Sequence, residues 1–311
     1  MPKFSLPHFI FGLLSLCIII PCIFFLYKYF FPSTFLPDIK EAQQLPPDVK
    51  KVSDEIAKTP LFASSSANPL YFPDLPKPAK KITPSQLRIP ILLYHYVEYV
   101  KDRGDKIRIS LNIEPHIFEH QVTTLQKAGY TFIIPSDIPD YFEGKQIPPS
   151  KPVILTFDDG YRDFYTDVFP ILKKYNVKAI SYVVPGFLDK PNNLTHKQLK
   201  EIKDNGLVEI GAHTVFHTYL RGLNQKRAKF EIEQSKAMLE NELGIKVVSF
   251  AYPYGAFDLK TIDLVQEAGF KTSVSTVPGV YINLNNLFFI YRLRPGGMVD
   301  NVLLNFLEKA K

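Results

Sequence analysis

The hydrophobic pattern of this chain changes character twice. From Phe9 to Leu26 the run FIFGLLSLCIIIPCIFFL carries no charge. At about 1.5 Å rise per helical residue such a run can cross roughly 30 Å of hydrocarbon. Residues 32–87 then lose periodicity and fill with proline and serine, including Pro46–Pro47, Ser64–Ser66, Pro73, Pro76 and Pro78; this reads as an irregular tether, with a short helix around 48–58 as the alternative. From Ile89 onward apolar runs alternate with helical spacing. Strands are predicted at IPILLYHY (89–96), YTFII (130–134), PVILTF (152–157), AISYVV (179–184), LVEIGA (207–212) and VVSFAY (247–252), and near 270–276 and 287–293. Helices are predicted at 114–129, where Ile117, Phe118, Val122 and Leu125 share a face, and at 162–175, 195–205, 225–243, 258–268 and 299–310.

Repeated β–α alternation predicts an α/β fold with a parallel sheet and helices outside, and the strand count approaches that of a barrel. The chain then divides into an N-terminal membrane anchor or signal segment (1–31), a linker (32–87) and a catalytic domain (88–311). An uncleaved anchor is the preferred reading, because the apolar run is long for a signal peptide and no small-x-small cleavage site follows it. In barrels chemistry gathers where strands end, on the loops that follow them.

Composition narrows the classes. The 37 basic and 31 acidic residues give a formal charge of +6, spread along the chain with no basic run interleaved with aromatics, so a nucleic-acid partner is not expected. Both cysteines, Cys17 and Cys22, fall in the apolar segment. The rest of the chain therefore offers no thiolate to a metal and no disulfide, as suits an extracytoplasmic bacterial enzyme that dispenses with them.

Four polar clusters follow predicted strands. Thr156-Phe157-Asp158-Asp159-Gly160 sets two carboxylates side by side, which is costly unless a cation or proton compensates one of them; the alternative is an ordinary Asp-Gly turn. His213-Thr214-Val215-Phe216-His217 spaces two imidazoles so that they can converge on one ion, and with Asp159 they form a His₂-carboxylate set that leaves positions open for water and substrate. Phe250-Ala251-Tyr252-Pro253-Tyr254-Gly255 alone reads as a punctuated loop. Tyr94-His95-Tyr96 ends the first barrel strand, where His95 is either a packed ring or a functional one.

Taken together, TFDDG, HTxxH and a PYG loop in this order resemble the polysaccharide deacetylase family of carbohydrate esterases over roughly residues 88–311. ILLYHY, QKAGYTF and FAYPYG resemble the branch acting on poly-β-1,6-N-acetylglucosamine. The resemblance implies a distorted (β/α) barrel of about seven strands and a divalent metal, commonly Zn²⁺ with Co²⁺ or Ni²⁺ as alternatives, held by Asp159, His213 and His217. It implies Asp158 as general base, His95 as general acid and the Tyr254 amide facing the oxyanion, with Thr214, Pro253 and Gly255 supporting. It implies an N-acetylated glycan polymer as substrate, acted on outside a bacterial membrane. Peptidoglycan or chitooligosaccharide deacetylation, and glycan binding without catalysis, remain alternatives. Two departures stand out: Ala251 occupies the place of an arginine that orients the base in many relatives, and the chain has no Trp. Arg292 or Arg294 is expected to supply the missing guanidinium.

Overall fold

The structure is a computed structural model that describes residues 83–311. The expected anchor, most of the linker and the helix considered at 48–58 lie outside the described residues. Among the described residues no helix is long and apolar enough to cross a membrane.

The strands in chain order are β1 (Leu87–Arg88), β2 (Ile91–Tyr94), β3 (Tyr96–Val97), β4 (Asn112–Ile113), β5 (Thr131–Phe132), β6 (Pro152–Phe157), β7 (Ala179–Val183), β8 (Val208–Ala212), β9 (Ser249–Ala251), β10 (Thr272–Val274) and β11 (Tyr281–Ile282). One seven-stranded parallel sheet runs β10-β9-β8-β7-β6-β2, with β5 paired to the start of β6. All six residues of β6 and all five of β7 are buried. A strand covered on both faces reads as a continuous apolar run, which is why PVILTF and AISYVV lack alternation.

The alternation is hidden in which face each residue serves. Leu92, Tyr94, Val153, Leu155, Phe157, Ala179, Val183, Ile210, Ala212 and Phe250 belong to the larger core, packed with the helices. Ile91, Ile154, Ile180, Tyr182, Ala251, Val274 and Ile290 form a second cluster on the opposite, concave face. Period two then assigns Thr156 and Asp158 to the face of Ile154, and Arg292 to that of Ile290.

Two expectations need correcting. The strand expected over 89–96 stops at Tyr94; after His95 the chain turns, and Tyr96–Val97 pairs with Asn112–Ile113 in a separate small sheet. No regular strand forms over 287–293. Instead Ile290 bridges Val274 and Leu293 bridges Leu92, with the Leu293 amide donating to Ile91 O at 2.8 Å and the Ile290 amide to Ser273 O at 2.8 Å. This segment serves both sheet edges in turn, so it cannot run a ladder with either. It draws the two edges of the curled sheet together.

Candidate active site

Every sequence-predicted cluster sits at a carboxyl end of the sheet, and three of the four reach their geometry through an unusual backbone. Asp159, Thr214, His217 and Tyr254 have φ of 76°, 59°, 55° and 60°, a left-handed conformation that costs a non-glycine residue about 1–3 kcal/mol. Such strain persists where the surroundings over-determine it. Here they do. The buried Thr214 hydroxyl accepts from the Thr218 amide at 3.0 Å, closing the HTVFH turn. One Glu231 carboxylate oxygen accepts from the Val215 and Phe216 amides at 2.9 and 3.0 Å, and Arg227 pairs with its other oxygen. Gly255 (φ +67°) lies so close to Thr276 that an added Cβ would stand 2.0 Å from its hydroxyl oxygen.

Asp159, His213 and His217 bring one ligand atom each within 4.8 Å of one another. Asp159 Oδ1 lies 3.2 Å from His213 Nε2 and 3.1 Å from His217 Nε2. His213 Nδ1 lies 2.7 Å from the Ala251 carbonyl oxygen. A carbonyl can only accept, so Nδ1 carries the proton and a neutral His213 turns the lone pair of Nε2 towards Asp159. Asp159 Oδ1 is buried and makes no hydrogen bond. Lone pairs converging on an orphaned carboxylate oxygen fit a cation, and a carboxylate with two imidazoles suits Zn²⁺ and its neighbours. Burial pushes the Asp159 carboxyl up, but the His217 charge and the close approach of both imidazoles outweigh it and hold it well below the usual range. Burial pushes His217 down, and Asp159 reverses that, leaving it raised. Both shifts express one demand for positive charge at this spot.

Asp158 meets a different fate. Arg292, 1% exposed, donates to both its oxygens at 2.8 Å, to the Thr156 hydroxyl at 3.0 Å and, through Nε, to the Ser275 carbonyl at 2.7 Å. Burial alone would raise the Asp158 carboxyl; the Arg292 charge and its paired hydrogen bonds leave it lowered instead. Of the two expected arginines, Arg292 is thus the one on the carboxylate, while Arg294 is exposed and bonds neither aspartate. Ala251 and Arg292 share the concave face, so the guanidinium reaches this interior from the irregular segment that follows β11.

His95 is half-buried just beyond β2. Burial pushes its ring down to about 4 despite the opposing pull of Asp159 and Asp158, so it is neutral at neutral pH. Tyr96 and Tyr161 stack with ring centroids 3.9 Å apart beside it, and Tyr254 lies 4.6 Å from the His217 ring.

Two residues that bear on the site escaped the sequence reading. Glu231 anchors the histidine turn, and Asp163 accepts from the Val97 amide at 2.5 Å, tying down the chain just after His95. Glu231 had left a signal: it falls on the apolar stripe of its helix with Ala228, Ile232, Ser235 and Leu239, where an unpaired carboxylate would be expensive.

Comparison with known proteins gives a consistent picture. The model of the polysaccharide deacetylase family matches residues 145–273. The structure resembles that of the Streptococcus pyogenes deacetylase PplD in complex with acetate, at 31% identity and a TM-score of 0.65, covering 72% of this chain and 99% of that one. The Bacillus subtilis protein YxkH, whose name assigns it to polysaccharide deacetylases, is 29% identical over 230 residues, 74% of this chain and 79% of its own. Poly-β-1,6-N-acetyl-D-glucosamine N-deacetylase of Staphylococcus aureus is 25% identical over 189 residues, 57% of this chain and 65% of its own. The match thus spans just under two thirds of that staphylococcal enzyme.

Proposed function

This chain belongs to the polysaccharide deacetylase family, and from that premise we propose that it hydrolyses N-acetyl groups from poly-β-1,6-N-acetylglucosamine or a related exopolysaccharide. The single observation that carries the reading is the division of labour between adjacent carboxylates: Asp159 faces two imidazoles and Asp158 is clamped by Arg292. Asp159, His213 and His217 would hold a divalent ion, best Zn²⁺ with Co²⁺ or Ni²⁺ as alternatives, which when bound would supply Lewis acidity for amide hydrolysis.

The chain's own groups do the rest. Asp158, kept ionised by Arg292, accepts the proton of the attacking water. The amide of Tyr254, on its left-handed turn between Pro253 and Gly255, faces the developing oxyanion, a donor worth about 3 kcal/mol in such a role. His95 passes a proton to the leaving amine. Because its ring is neutral at rest, it takes that proton from solvent as negative charge builds on the substrate oxygen, and Asp158 returns the water's proton to solvent to complete the cycle.

The distorted barrel of about seven strands is supported by the bridges of Ile290 and Leu293 across the sheet edges. The charge-free run from Phe9 to Leu26 supports a single-pass anchor that holds the catalytic domain outside a bacterial membrane, or a secreted enzyme if the segment is cleaved. The staphylococcal relative supports the glycan named here over peptidoglycan or chitooligosaccharides. Acetate release from a glycan panel tests the whole proposal. Chelation should silence it, and Zn²⁺ or Co²⁺ should restore it. Release that ignores chelators, or binding of every glycan without release, would overturn it.

A further inference from the structure

Four rings form a row from the interior of the site to its surface. Centroid separations are 4.9 Å from His213 to His217, 4.6 Å from His217 to Tyr254 and 6.1 Å from Tyr254 to Tyr219. The two inner rings are buried or half-buried, whereas Tyr254 is 50% and Tyr219 45% exposed. Among the described residues Tyr94, Tyr182 and Tyr252 are buried, while Tyr99 and Tyr281 are exposed away from this row. Leaving two such rings half in water forgoes the burial each could have had. Exposed apolar surface continuous with a reactive cleft is the usual mark of a contact face. Tyr254 is held there against backbone strain, at φ 60°. The two ring planes are tilted by 38°, so they offer neighbouring faces rather than a mutual stack.

A pyranose with equatorial substituents presents an apolar C–H face and a rim of hydroxyls. Such a face packs on an aromatic ring while the rim stays in water, through dispersion and weak C–H contacts. We propose that Tyr219 is a specificity-determining residue, which with Tyr254 forms a stacking platform for the sugar adjoining the one being deacetylated. The site thereby takes a β-linked amino-sugar chain in preference to a free monosaccharide. This rests on the deacetylase reading above, and concerns how that site holds its polymer.

The test uses the full chain loaded with zinc and a β-1,6-linked N-acetylglucosamine pentamer, read both by acetate release and by calorimetric binding. Tyr219→Ala should raise KM for the pentamer about 5- to 10-fold while holding kcat near wild type, the range expected for one aromatic contact. Pentamer affinity should fall to match, Tyr219→Phe should recover both, and Tyr281→Ala, exposed on β11 in the separate two-stranded sheet with β1, should change neither. Unchanged KM and affinity in Tyr219→Ala would overturn the platform while leaving the deacetylase reading intact. Weakened binding in Tyr219→Ala with no acetate released by the wild type would leave the platform standing and remove the deacetylase reading instead.

Discussion

Arg292 gives its guanidinium to two carboxylate oxygens, a hydroxyl and a backbone carbonyl, all of them buried. Removing one partner of a buried ion pair strands the other, at a cost of about 3–5 kcal/mol. Arg292→Ala should therefore lower the melting temperature sharply. It should also free the burial that pushes Asp158 up. In the wild type the Asp158 carboxyl is depressed, so the proposed base is ionised and its stabilising pair intact above the usual aspartate pKa, and both are lost as pH falls through the lowered value. With Arg292 gone, the acid limb of the pH–rate profile should move to higher pH. Arg294→Ala, which disturbs no bond to either aspartate, should move it far less. At Asp158 and Asp159 the expected outcomes separate. Asp159→Ala should abolish metal uptake measured by elemental analysis, whereas Asp158→Asn should keep the metal and lose acetate release. Full turnover in Asp158→Asn would remove the base from the mechanism.

Strands and turns carry that chemistry only because each turn is forced. Gly255→Ala must accept both a left-handed φ and a Cβ 2.0 Å from the Thr276 hydroxyl oxygen; the PYG turn should shift, and activity should fall even if the fold survives. Glu231→Gln keeps the shape of the side chain but loses the charge that two turn amides and Arg227 address. It should weaken zinc affinity, measured by competition with a chromophoric chelator, more than it lowers the melting temperature. Much at this scale was readable beforehand. The helix at 225–243 and strand β6 match the expected bounds, because a long amphipathic period and a fully buried run are each hard to mistake. The helices Lys106–Leu111 and Ile138–Phe142 were not anticipated, since five or six residues are too few to show a period. The convergence of Asp159, His213 and His217 was legible from strand ends. Arg292 could be named as a candidate but not separated from Arg294, because the choice depends on which residue of an irregular segment turns inward.

Over the whole molecule, two further carboxylates answer to pH in the opposite sense. Burial pushes Asp163 and Glu209 up to about 7, and each leaves one buried oxygen without a partner. The native state holds their protons between the ordinary carboxylate range near 4 and about 7, where the unfolded chain has released them, so stability should fall as pH rises through that window. Melting temperatures recorded from pH 5 to 8 should show the decline, and Asp163→Asn with Glu209→Gln should flatten it. A wild-type curve flat across those values would refute the assignment. The same scale gives the Leu92–Leu293 bridge its meaning. Leu293 bridges the edge strand β2 to nearly the last part of the chain, and its neighbour Arg292 is the group that clamps Asp158. A growing polypeptide thus brings Arg292 to Asp158 only when the curled sheet's edges are being joined, and a copy truncated before that point would keep Asp159, His213 and His217 but lack the clamp on the proposed base. Completion of the fold and competence for chemistry coincide in one pair of adjacent residues.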